Sequence, residues 1–68
     1  MHPIRQYRYL LGLNQRDFAK LIPISVNGIS RWENGQMPSP TNILRLAIIF
    51  HMNPGILLAQ LVEQSSKN

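Results

Sequence analysis

The sequence predicts an all-α fold of five short helices packed into one compact domain. Three observations predict it. Proline at 3, 23, 38, 40 and 54 and glycine at 12, 28, 35 and 55 divide the chain into segments of helical length. A capping residue placed just before a helical pattern recurs, most plainly in Ser39-Pro40 and Asn53-Pro54. The alternation of apolar and polar residues that marks a strand is not sustained anywhere.

Each element has a local reason. Pro3 suits the first turn of a helix over about 3–11, where its missing N–H is not needed. Ile4 and Tyr7 are expected on its inner face, Leu10 or Leu11 closes it, and Gly12 stops it. Asn14 caps a second helix over about 15–22, and Asp17 completes a variant of the capping box beside the positive helix end. Phe18, Ala19, Leu21 and Ile22 supply its inner face. Pro23 has no amide proton and pushes Ile22 toward extended geometry, so the helix ends there. Ser25 caps a third helix over 26–33, with Ile29 and Trp32 facing inward. Asn34-Gly35 ends it, Gly35 being free to take a positive φ. A fourth helix over 40–50 carries Ile43, Leu44, Leu46, Ala47, Ile48 and Phe50. A fifth over 54–63 carries Ile56, Leu57, Leu58, Leu61 and Val62. The polar tail QSSKN, from Gln64, is expected to fray.

Composition narrows the function classes. A chain of 68 residues buries only roughly 60% of its unfolded surface, which leaves room for one domain, residues 1–68. There is no cysteine, so neither a disulfide framework nor a thiolate metal site is available. His2 and His51 lie far apart in sequence without a third obvious ligand, so no metal and no cofactor are expected. Asp17, Glu33 and Glu63 are the only acids, and no Ser-His-acid set has local support. An enzyme is not expected. The longest apolar run, Leu46–Phe50, is far short of the roughly 20 residues a bilayer needs, and MHPIRQYRYLL lacks the features of a signal peptide. The expectation is a soluble cytoplasmic protein. Net charge is +4, and five of the seven basic residues are arginine, a balance that suits an anionic partner.

The second and third helices are separated only by the few residues Pro23 to Ser25, which forces a steep crossing, the helix-turn-helix arrangement. Small Ala19 lets the pair approach closely. With Ile29 and Trp32 inward, Asn27 and Arg31 form an outward stripe four residues apart. Asn and Arg are the side chains whose geometry suits adenine and guanine edges, and Val26 in the first turn suits a thymine methyl.

The ordered set GLNQRDFAKLI at 12–22, SVNGISRWENG at 25–35, SPTNILRLAIIF at 39–50 and MNPGILL at 52–58 resembles the lambdoid phage Cro/repressor helix-turn-helix family, of XRE-like type, over about residues 4–61. The resemblance implies a dimer on double-stranded operator DNA, with the helix over 26–33 in the major groove. It implies base contacts from Val26, Asn27 and Arg31, a phosphate contact from Gln15, backbone contact near Asn34, and a pair between Arg8 and Glu33. Two departures stand out. Pro23 occupies the turn position where the family usually has glycine. Gly28 lies inside the reading helix, where its missing side chain either admits a phosphate or sugar or is a weak spot costing ~1 kcal/mol against alanine. Arg5 and Arg16 are further phosphate candidates, with plain solvation as the alternative.

The functional expectation is a sequence-specific regulator of transcription, a small repressor reading a palindromic operator as a weak homodimer. The dimer surface is expected at His51, Met52 and Pro54 and on helix five at Leu57, Leu58 and Leu61, because that helix has more apolar residues than one stripe needs. The alternative is a protein-interaction module, or an antitoxin-like partner of a cognate toxin.

Overall fold

The computed structural model describes residues 1–66. Its helices are α1 (Pro3–Leu10), α2 (Gln15–Leu21), α3 (Val26–Glu33), α4 (Pro40–Ile49) and α5 (Pro54–Ser66), with no strand among the described residues. The all-α, five-helix expectation is met. α3 packs against α2 and α1, and α5 packs against α4 and α1, so α1 bridges the two pairs.

Each helix begins on a side chain that accepts from a free first-turn N–H. Asn14 Oδ1 accepts from Asp17 N–H at 2.8 Å, Ser25 Oγ from Gly28 N–H at 3.1 Å and Ser39 Oγ from Asn42 N–H at 3.3 Å. Asn53 Oδ1 accepts from Gly55 N–H at 2.7 Å and more weakly from Ile56 N–H. The cap of α1 is one the sequence reading did not foresee: His2 Nδ1 accepts from Ile4 N–H at 3.1 Å.

The first four helices end alike. An amide beyond each cap reaches back to the third-last helical carbonyl: Leu13 to Arg8, Ile24 to Ala19, Gln36 to Arg31 and Met52 to Ala47. Gly12 (φ 73°) and Gly35 (φ 111°) supply the left-handed residue at two of these ends, and His51 (φ 55°) supplies it after α4. After α2 the closing bond, 2.9 Å long, forms without one, since Pro23 has no positive φ. The expected extended geometry of Ile22 is not adopted. Its backbone stays near-helical (φ −87°, ψ −9°) and its side chain is fully buried. Burying Ile22 and closing Ile24 onto Ala19 together outweigh the usual bias before proline.

The core comprises Ile4, Phe18, Ala19, Ile22, Ile29, Trp32, Ile43, Leu46, Ala47, Leu57 and Leu61. Phe50, at the α4 cap, stacks on Phe18 with centroids 5.6 Å apart and tilts against Tyr7 at 5.0 Å. Tyr7 in turn donates its hydroxyl to Gln60 Oε1 at 2.8 Å, tying α1 to α5. Leu21, expected on the inner face of α2, is exposed instead, as are Leu10 and Leu11 at the end of α1, Leu44 and Ile48 on α4, and Ile56, Val62 and the expected dimer residue Leu58 on α5. On α1 the inner position one turn after Ile4 is taken by Arg8, so Leu10 and Leu11 rotate outward. α5 continues through Ser66, whose Oγ donates to Glu63 O at 2.8 Å, so the expected fraying from Gln64 is not seen, and Lys67 and Asn68 lie outside the described residues.

No single helix among the described residues is long and apolar enough to cross a membrane. α4 and α5 reach that length only together, across a bend of 115°.

The left-handed His51 carries a local conformational cost that glycine would not. His51→Gly is expected to raise stability by about 0.5–1 kcal/mol after the greater chain entropy of glycine is set against it. Denaturant unfolding measures this, and a loss of stability would contradict the backbone assignment at the α4 end.

Candidate nucleic-acid interface

The site is built on α3, which divides sharply into two sides. Gly28, Ile29, Trp32 and Glu33 are buried, while Val26, Asn27, Arg31 and Asn34 are exposed. Helical spacing therefore aligns Asn27, Arg31 and Asn34 along one outward stripe. Arg31 forms no ion pair among the described residues. Asn34 turns back along its own helix, donating Nδ2–H to Ser30 O at 2.8 Å.

The inner side is fixed by a carboxylate. Arg8 donates Nε–H to Glu33 Oε2 at 2.7 Å and Nη2–H to Oε1 at 3.1 Å, a two-pronged pair that is almost entirely buried. The remaining Arg8 nitrogen, Nη1, donates to the Leu13 carbonyl at 2.8 Å, just ahead of α2. Arg5 Nε–H reaches Glu33 Oε1 at 2.9 Å, and Gln15 Nε2–H reaches the same oxygen at 3.2 Å. One side chain at the end of α3 thus gathers α1 and the start of α2. Burial alone pushes the Glu33 carboxyl up, but the hydrogen bonds from Arg8, Arg5 and Gln15 outweigh it and hold it below its ordinary value. The hydrogen bond to Glu33 raises Arg8 correspondingly.

The sequence-expected residues thus separate into groups. Arg8 and Glu33 are together, as the resemblance implied. Gln15 is half-buried with its amide drawn to Glu33, and Arg5 shares that carboxylate, a role its sequence position did not signal. Arg16 is exposed on α2. Gly28 requires a correction. A Cβ there would lie 2.7 Å from Ile24 Cδ1 and 2.8 Å from Ile24 Cγ1, so the space left by its missing side chain is filled by Ile24 and does not admit a phosphate. Its N–H is also committed to Ser25. The structure also corrects two expected dimer residues. Leu57 and Leu61 are buried in the core and are unavailable to a partner, whereas Leu58 is 44% exposed. His51 is exposed, Met52 and Pro54 are half-buried, and Met52 packs against the core.

Among the described residues no cluster of three or more metal-ligating side chains exists. The arrangement therefore offers an outward row of polar and cationic side chains on a rigidly anchored helix. A helix-turn-helix family model matches residues 4–57 of this chain. No curated protein and no solved structure matches it.

Removing one member of a buried pair leaves the other charge uncompensated, so Arg8→Ala is expected to cost about 3–5 kcal/mol. Arg5→Ala, at a half-exposed position, is expected to cost about 0–1 kcal/mol. Because the Glu33 pKa is lowered on folding, its contribution is present above the ordinary value of 4.5 and is lost as pH falls through the lower folded value. Urea unfolding of both variants, and of the parent from pH 7 to 3, measures these effects. Equal losses for the two arginines would refute the burial argument.

Proposed function

Given that the chain belongs to the helix-turn-helix family, a DNA-binding motif, we propose that it is a sequence-specific regulator of transcription that reads the major groove with α3. It resembles a small Cro-type repressor in this reading. The observation that carries it is the outward stripe of α3, where Asn27 and Arg31 are exposed while the opposite side is anchored through Glu33. Arg31 is free to present its fork to guanine, Asn27 its amide to adenine, and Val26 an apolar surface to a thymine methyl. Gln15, Arg16, Arg5 and the α3 end at Asn34 lie on the elements that would follow the phosphate backbone. Such contacts fix register without specifying sequence.

One motif reads few base pairs, so two copies on a palindromic operator would supply the needed discrimination, with half-sites about 34–36 Å apart. Support for a self-contact comes from a groove of about 280 Å³ between the starts of α4 and α5, lined by Pro40, Ile43, Leu44, Pro54, Gly55 and Leu58. Leu44 (53%) and Leu58 (44%) stand exposed at its rim. The patch is small, which fits a weak dimer that DNA consolidates. A second reading, docking of a protein partner such as a cognate toxin, is favoured by exposed apolar side chains that do not line this groove, Leu10 and Ile48 above all.

Selection of bound sequences from random DNA tests the first reading. Arg31→Ala is expected to lose about 1–3 kcal/mol at the preferred site and relax specificity there, while Gln15→Ala weakens binding with less change of preference. A selected motif unchanged by Arg31→Ala would overturn the assignment of α3. For the dimer, analytical ultracentrifugation with and without the selected duplex is expected to give two copies per duplex, and Leu58→Glu to give one. One-to-one stoichiometry for the parent at saturating protein would defeat the dimer.

A further inference from the structure

His2 is unlike the other caps because it can change charge near neutrality. Its Nδ1 accepts from Ile4 N–H at 3.1 Å, which requires that nitrogen to be unprotonated. The ring is half-buried at the edge of a polar cleft of about 290 Å³, lined with it by Met1, Glu33, Asn34, Gly35 and Gln64. This cleft joins the start of α1 to the end of α3. About one and two turns along α1 from His2 come Arg5 and Arg8, the two arginines that grip Glu33. The charged groups that face His2 are Glu33 from α3, Arg5 from α1 and the amino terminus, while α5 contributes the uncharged Gln64.

We propose that His2 is a pH-sensitive pin, holding the start of α1 in place while neutral and releasing it when protonated, so that the grip of Arg5 on Glu33 loosens in acid. Protonation turns the capping acceptor into a donor and sets a cation at the positive end of α1 beside Arg5. Glu33 is the one neighbour that favours the charged ring, and the cleft gives the imidazolium a path toward it. A protonated His2 that turned to Glu33 would leave Ile4 N–H uncapped and compete with Arg5 for the same carboxylate. Burial, the largest influence, lowers the His2 pKa, Glu33 opposes this, and Arg5 and the amino terminus add to it. The sign follows. The stabilisation is complete above the ordinary value of 6.5 and is lost as pH falls through the lower folded value. The consequence for binding rests on the DNA reading above: α3 is presented less rigidly in mild acid.

The test compares the parent with His2→Asn, which keeps a good capping acceptor and cannot titrate, and with His2→Ala, which has none. Melting temperature is measured from pH 7.5 to 5.0, with Arg5 and Arg8 Nε–H resonances followed by NMR over the same range. The parent is expected to lose melting temperature on acidification, and its Arg5 Nε resonance to move with the His2 titration. His2→Asn is expected to stay level, and His2→Ala to start low and stay level. His51, the other histidine, is common to all three and cancels. An equal acid loss in His2→Asn, or an Arg5 resonance that ignores the His2 titration, would overturn the proposal. On a selected duplex, the parent is expected to lose several-fold more affinity than His2→Asn between the two pH limits. If no duplex is bound at pH 7.5 the DNA reading fails, and the melting and NMR comparison still decides the pin.

Discussion

The carboxylate of Glu33 is the constraint round which this small domain is organised. It sits at the last residue of α3 with no exposed side-chain surface, and it receives hydrogen bonds from Arg8, Arg5 and Gln15. An unpaired carboxylate there would be untenable, because desolvation of a charge costs several kcal/mol. With its partners in place, the same burial makes the position of α3 relative to α1 and the start of α2 specific. A purely apolar contact would allow sliding. A two-pronged arginine pair with a third bond from Arg8 to the Leu13 carbonyl does not.

That anchor explains how α3 can be both buried and presented. Eight residues give little more than two turns, and the inner side uses Gly28, Ile29, Trp32 and Glu33. Gly28 belongs to this inner side because Ile24, from the short connection after α2, fills the space where a β-carbon would stand. The connection therefore packs against the helix it introduces. The outer side is left to Val26, Asn27 and Arg31, with no structural task except to stay helical, and Asn34 closes the helix beside them. Glu33 also neutralises part of the positive charge internally, leaving Arg16, Lys20, Arg31 and Arg45 exposed without a carboxylate partner among the described residues.

The size of the chain sets the other limit. Five helices of this length cannot all bury a wide apolar face, since surface dominates volume at this scale. Leu44 and Leu58 are stranded beside a shallow groove, and Leu10, Leu21 and Ile48 elsewhere. Leu57 and Leu61 take the inward positions on α5, Gln60 is half-buried against Tyr7 of α1, and Ile56, Leu58 and Val62 face out.

Much of this was written locally. Asn14, Ser25, Ser39 and Asn53 cap helices because their side-chain oxygens reach first-turn amides, and Gly12 and Gly35 end helices because they accept a positive φ. These are short-range interactions, so the sequence by itself determined the five helices and their order. It also determined that Ile29 and Trp32 face opposite Asn27 and Arg31, because helical period alone fixes that. The tertiary structure decided what depends on distant neighbours. His2 as a cap and the left-handed turn at His51 lie outside the usual residue preferences; the first rests on the bond from Ile4 N–H, and the second on Met52, which packs on the core and closes back onto Ala47. Arg5 and Gln15 join Glu33 only because α1 and α2 converge on the end of α3. Which leucines are core and which are surface was likewise decided there. Hydrophobicity names the residues that prefer burial, but only the rotation of each helix against its neighbours selects the ones that obtain it.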